Sequence, residues 1–219
     1  LGIIQNINPE RGNVIWGRSF RTLGGHDTIE ERIGLLKLHY PAGVFSQANP
    51  FTARRVYEAA IELAGLRGEE TVVDLYCGVG PVALYAAPGA RLVYAIDDHE
   101  RSVAAAKQNA RSNGIGNCRF FAGEIAAELE RIRRSAGPID VCILNPPRKG
   151  AHSGALQALL DAAPRRIVYI SCDPGSLTRD LEHAVGRGYR LVRLRPFDMF
   201  PQTDQVETVA QLNRSDVEV

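Results

Sequence analysis

Three stretches of the chain hold side chains that could do covalent chemistry or grip a ligand. Cys172 stands in Ser171-Cys172-Asp173-Pro174, between an apolar run and a helix start. A thiol at a helix N-terminus can be a thiolate nucleophile, because the helix end lowers its pKa. On position alone, a buried and inert cysteine is the better reading. Glu207 closes Phe200-Pro-Gln-Thr-Asp-Gln-Val-Glu207 and puts a carboxylate at the start of the final apolar run. Alone, it reads as an ordinary surface acid. Asp74-Leu-Tyr76-Cys-Gly78-Val-Gly80-Pro81 supplies glycines that allow a tight turn and close backbone approach to a ligand. Asp97 follows 17 residues after Gly80, where a carboxylate can accept hydrogen bonds from both hydroxyls of a ribose. No Gly-Lys-Ser/Thr follows, which excludes a Walker-type phosphate loop, and the third glycine of a dinucleotide fingerprint is absent.

These residues need a scaffold, and the apolar pattern supplies one. Short β-branched runs at 71–76, 92–97, 118–121, 139–144 and 166–171 alternate with helical patterns at 52–66, 100–112, 125–134, 156–163 and 177–185. That alternation predicts an α/β fold with a doubly wound, Rossmann-like, mostly parallel sheet, in which ligands sit beyond the carboxyl ends of the strands. Two further strands, 189–194 and 205–212, have no helix between them and should pair antiparallel at one edge. Residues 1–45 read differently, as a β-rich remnant of another domain, with 46–219 as the catalytic unit. There, 2–7 and 14–16 suggest a hairpin, Leu23-Gly24-Gly25 a break, and 29–40 a further strand pair. Trp16 reads as a packing residue.

The chain has 219 residues, 45% of them hydrophobic and 23% charged, enough for a real core. It begins at Leu1 and its only methionine is Met199, which suggests a piece of a longer or processed protein. Lys plus Arg number 26 and Asp plus Glu 25, short of the excess of a dedicated nucleic-acid-binding domain. No run approaches a bilayer span. The four cysteines, Cys77, Cys118, Cys142 and Cys172, lie far apart without metal-ligand spacing, so reduced intracellular thiols are the expectation.

Taken together, Phe45-Ser-Gln47-Ala-Asn-Pro50, Asp74 to Gly80, Asn145-Pro-Pro-Arg148, Ser171 to Pro174 and Phe200 to Glu207 are specific. In this order, the set resembles the RNA uracil-5-methyltransferase family, which uses S-adenosylmethionine (SAM) to make 5-methyluridine in tRNA or ribosomal RNA. The resemblance implies a class I SAM-dependent methyltransferase sheet. It implies SAM-binding roles for Gln47, Tyr76, Gly78, Gly80, Asp97, Glu124 and Asn145. Cys172 matches the nucleophile and Glu207 the base. It further implies an RNA partner, ribosomal RNA ahead of tRNA, in a cytoplasmic, monomeric enzyme with no membrane contact and no metal in this stretch. Two positions depart from the pattern. Pro81 stands where the family often has Asn, and Asn145 where it usually has Asp, which keeps an acceptor and removes a charge.

The chemistry explains why such a set is needed. Carbon 5 of uracil becomes nucleophilic only after a thiolate adds to carbon 6, so covalent catalysis splits one hard step into easier ones. A base must later remove the carbon 5 proton, and the target base must leave its stack to enter the pocket. Arg148, Lys149, Arg193 and Arg195 could hold phosphates or form a solvated face. Two rival readings remain. Asn145-Pro146-Pro147 is also similar to the motif of amino-group methyltransferases acting on adenine or glutamine, although Arg148 replaces their aromatic residue. A catalytically silent RNA-binding module is the other.

Overall fold

The computed structural model describes residues 1–9, 16–17 and 19–216. Three sheets form. The first is an antiparallel pair, β1 (Gly2–Ile7) and β2 (Ser19–Gly25), and the second is the hairpin β3 (Thr28–Ile33) and β4 (Leu36–Pro41). The main sheet holds β5 (Thr71–Leu75), β6 (Leu92–Asp97), β7 (Cys118–Ala122), β8 (Val141–Leu144), β9 (Arg166–Ser171), β10 (Tyr189–Phe197) and β11 (Glu207–Arg214). The helices are α1 (Pro50–Ala64), α2 (Pro81–Ala86), α3 (Glu100–Ser112), α4 (Ile125–Ala136), α5 (Ser153–Ala162) and α6 (Pro174–Gly186).

The main sheet runs β10-β11-β9-β8-β5-β6-β7. β5, β6, β7, β8 and β9 are parallel, and β11 is antiparallel to both β9 and β10. The two final strands therefore pair as the sequence implies, with β11 inserted between β9 and β10. Strand order reverses between β5 and β8, the place where open α/β sheets bind ligands.

Side-chain alternation sorts the core into two layers. Val72, Ile143, Val168, Ile170 and Val209 are buried against α1, α2 and α3. Val73, Leu75, Leu144, Tyr169 and Ala210 are buried against α4, α5 and α6. Such near-continuous apolar strands are expected of a sheet covered on both faces.

The N-terminal region corrects several expectations. The strand paired with β1 is Ser19–Gly25; Trp16 lies in a bend before it, and residues 10–15 fall outside the described residues. Asn6 anchors the returning chain, accepting from the Gly17 amide and donating to its carbonyl, both at 2.9 Å. Leu23-Gly24-Gly25 is not a break but the end of β2, where Gly25 at φ 68 lies so close to the Leu1 carbonyl that a Cβ would collide. Trp16 is 58% exposed and lies beside the Phe20 ring, with centroids 6.0 Å apart, so it is not a core residue. The β3–β4 hairpin is fastened to the main unit. Ile33, Leu38 and Tyr40 share the α1–α3 core, and Asn109 of α3 and its C-cap Asn113 bond the β4 backbone at His39 and Lys37.

Candidate active site

The loop after β5 is a close-fitting turn. Tyr76, Gly78 and Gly80 alternate in the left-handed region at φ 62, 54 and 89. Glycine adopts this without penalty, whereas Tyr76 stores roughly 1–2 kcal/mol of backbone strain. Strain of this kind concentrates where the surrounding structure holds a functional loop. A Cβ on Gly80 would stand 3.1 Å from Ala106 and Phe120, while Gly78 faces open space. Pro81 opens α2, a position where its missing N–H costs nothing.

Asp97, at the end of β6, accepts from the Gly78 amide at 2.8 Å and from the His99 amide at 2.9 Å. Burial still pushes its pKa above the ordinary carboxylate value. Asp74 lies beneath the same loop, 1% exposed, with Oδ2 accepting from the Ala83 amide at 2.9 Å. Its Oδ1 has no partner among the described residues, and burial pushes its carboxyl well up. A buried polar oxygen without a partner costs about 1–3 kcal/mol, which favours the neutral, protonated carboxyl here. The sequence motif contains Asp74, but nothing local singles it out.

The remaining ligand candidates lie at strand ends and ahead of α1. The Tyr76 hydroxyl accepts from the His152 amide at 3.0 Å. Asn145 follows β8, with its amide on the Leu75 carbonyl at 3.3 Å, beside the β5 loop across the switch point. Glu124 is exposed at the end of β7 and caps α4, accepting from the Ala126 and Ala127 amides. Gln47 is half-buried just ahead of α1, two residues before the helix cap Asn49. Asn49 and Thr52 donate to the Met199 and Asp198 carbonyls, which joins this segment to the loop leading to Glu207.

Cys172 and Glu207 meet through sheet register. The β9–β11 ladder pairs Ser171 with Thr208, so Cys172 and Glu207 are the next opposed positions. Alternation from Val209 turns Glu207 toward the α1 face, and Cys172 lies in the bend that directly follows β9. Glu207 is not a surface acid: it is 2% exposed, and burial pushes its carboxyl up to about 7. Cys172 is half-buried, whereas Cys77, Cys118 and Cys142 are buried. Its thiol is also raised above the ordinary value, by desolvation first and Glu207 next, with Arg148 pulling the other way. The expected net lowering at the α6 N-terminus does not occur. The cap there is Asp173, whose carboxylate accepts from the Ser176 amide at 2.7 Å, and it opposes thiolate formation.

Arg148 donates to Gln205 Oε1 at 2.6 Å, two residues before Glu207. Among the other basic candidates, Arg195 makes a two-bond ion pair with Glu62, while Lys149 and Arg193 are exposed.

A glycine turn beside a ribose-spacing acid and a thiol facing a buried carboxylate thus share the strand ends. The sequence signature of the tRNA (uracil-5-)-methyltransferase family matches residues 25–215. The chain belongs to that family. Relatives include RNA methyltransferases of Clostridium acetobutylicum, 40% identical over 98% of this chain and 47% of theirs, and of Gloeobacter violaceus, 43% identical over 98% and 46%. The chain thus spans about half the length of the curated relatives it matches. The tRNA (uracil-54, C5)-methyltransferase of Pyrococcus abyssi, solved with S-adenosyl-L-homocysteine, superposes with a TM-score of 0.77 at 29% identity, over 96% of this chain and 50% of that one.

Proposed function

We propose that this chain carries the catalytic unit of an enzyme that moves a methyl group from SAM to carbon 5 of a uridine in RNA, through a covalent adduct to Cys172. The observation that carries this reading is the opposed pair of Cys172 and Glu207, one half-buried thiol and one buried carboxylate near neutrality. SAM fits the β5 end on two counts: the open face of Gly78, and Asp97 at the carboxyl end of β6, bonded to the Gly78 amide. Gln47, Tyr76, Gly80, Glu124 and Asn145 complete its binding set. Bound there, SAM supplies an electrophilic methyl on a sulfonium.

The chain's residues supply the rest. The Cys172 thiolate adds to carbon 6 of the uracil, and the electron pair passes to the carbon 5 enolate. Carbon 5 then takes the methyl, and the sulfonium electrons leave with the thioether. Glu207 removes the carbon 5 proton, the carbon 5–carbon 6 double bond reforms, and the sulfur departs as thiolate. General-base help of this kind is worth about 10²–10⁴-fold.

The test uses the full-length enzyme with methyl-labelled SAM. Ribosomal RNA, favoured by the sequence reading, is assayed beside tRNA, and digested nucleosides are identified by mass spectrometry. Label should appear as 5-methyluridine and vanish in Cys172→Ala. RNA carrying 5-fluorouridine should attach covalently to the native enzyme, because fluorine cannot leave as a cation. Methylation of an exocyclic amine, or 5-methyluridine made at full rate by Cys172→Ala, overturns the reading. A protein that binds RNA without binding SAM would be the silent module instead.

A further inference from the structure

The loop after β8 turns at Arg148 and is then packed and bonded along 149–152, at Lys149, Gly150 and Ala151 by groups the reaction does not use. Lys149 offers its carbonyl to Arg179 Nη2 at 2.7 Å. Gly150, at φ 83, has no room for a Cβ beneath Asp180 and Arg179. The Ala151 amide donates to Asp180 Oδ2 at 2.8 Å and to the Tyr169 hydroxyl at 3.2 Å. The His152 amide donates to Tyr76. Asp180 is the hub of this anchor. It lies on α6, 2% exposed, and also takes the Tyr169 hydroxyl at 2.6 Å and Arg179 Nε and Nη2 at 3.0 and 2.9 Å. Nearly every acceptor site on the carboxylate is filled, by donors from β9, α6 and the loop.

α6 begins two residues after Cys172, and the loop begins at Asn145. Asp180 therefore joins the two segments whose relative placement sets the distance from the Arg148 guanidinium to the Cys172 thiol. Three charged groups act on that thiol: Glu207 from β11, Asp173 at the α6 cap and Arg148 from the loop. Arg148 alone among the three favours the thiolate.

We propose that Asp180 is a positioning residue for the reaction, holding the 149–152 loop against α6 so that Arg148 stays within reach of Cys172 and Gln205. This rests on the reading of Cys172 as nucleophile. Asp180 touches no substrate and acts only through Arg148.

The experiment follows iodoacetamide alkylation of Cys172 against pH in the full-length enzyme, which needs neither RNA nor SAM. Arg148→Gln should move the alkylation midpoint up by about one pH unit, lowering the rate at neutral pH about tenfold. Asp180→Asn should move it in the same direction, and adding it to Arg148→Gln should produce no further movement. Should Asp180→Asn fail to fold, Tyr169→Phe removes one donor and should give a smaller movement of the same sign. A folded Asp180→Asn or Tyr169→Phe with an unmoved midpoint, or an unmoved midpoint in Arg148→Gln, overturns the proposal. Full methyl transfer by Cys172→Ala would instead strike the nucleophile reading, and the alkylation curves would still report on the anchor.

Discussion

Glu207 faces Cys172 across β11 and β9, one residue beyond the Thr208–Ser171 pair that ends their ladder. The carboxylate raises the thiol, so the two groups compete over charge in one pocket. The reaction separates them in time, because the thiolate is needed first and the base last.

That competition gives the first prediction. Glu207→Gln removes the carboxylate charge and keeps the shape. Cys172 should then alkylate faster at neutral pH than in the native enzyme, and its midpoint should move down. Methyl transfer should still occur, and the methylated RNA should then stay attached, released about 10²–10⁴-fold more slowly. A denaturing gel with labelled methyl groups reads the trapped complex. Release at the native rate would assign the base elsewhere, with Asp173 or Asp204 next in line.

The two loop glycines should fail in different ways. Gly80→Ala meets Ala106 and Phe120 at 3.1 Å from a left-handed backbone, and should lower stability by about 1–3 kcal/mol. Gly78→Ala points into open space and carries only the conformational cost, about 1–2 kcal/mol. Its methyl group occupies the side a ligand would use, so affinity for SAM should drop more than tenfold while the fold persists. Paired thermal melts and calorimetry separate these outcomes, and native SAM affinity in Gly78→Ala would remove that face from the site.

Asp97→Ala should weaken S-adenosylhomocysteine by about 1.5–3 kcal/mol, the worth of a hydrogen bond to a charged acceptor. It also releases the Gly78 amide from its 2.8 Å bond. Asp97→Asn keeps an acceptor for that amide and should recover part of the affinity. Calorimetry showing equal affinity in all three proteins would take Asp97 out of the ribose position.

Local pattern made the sheet legible. The runs at 92–97 and 166–171 coincide with β6 and β9, and 100–112 with α3. The glycine turn and Asp97 were readable because their spacing is set within one β-turn-α-β unit. What escaped the sequence came from distant parts of the chain. Glu207 follows three polar residues and a valine and looks solvated; α1 covers it because β11 slips between β9 and β10. The thiol's net rise comes from desolvation first and from that same carboxylate next, and these outweigh a local helix-end argument. Asp180 sits in an ordinary helical pattern, and its role depends on a loop 30 residues earlier. Trp16 shows the opposite error, since a large aromatic side chain suggests burial, yet it stands 58% exposed.

Glu207 should also leave a mark on stability. Its carboxyl is raised from an ordinary value of 4.5 to about 7, so the folded chain holds a proton that the unfolded chain releases. Folding takes up that proton between pH 4.5 and 7, and stability from this group falls as pH rises across the window. Below it both states are neutral at this position; above it both are charged, and the buried charge costs its full amount. A shift of that size corresponds to about 3 kcal/mol. Glu207→Gln cannot ionise, so its stability relative to the native chain should grow from pH 4.5 to 7 and then level off. Urea unfolding of both proteins at several pH values measures the difference directly. A difference that stays constant across the window would mean that Glu207 ionises as freely in the folded chain as in water. The buried pocket around Cys172 would then be wetter than its packing against α1 implies.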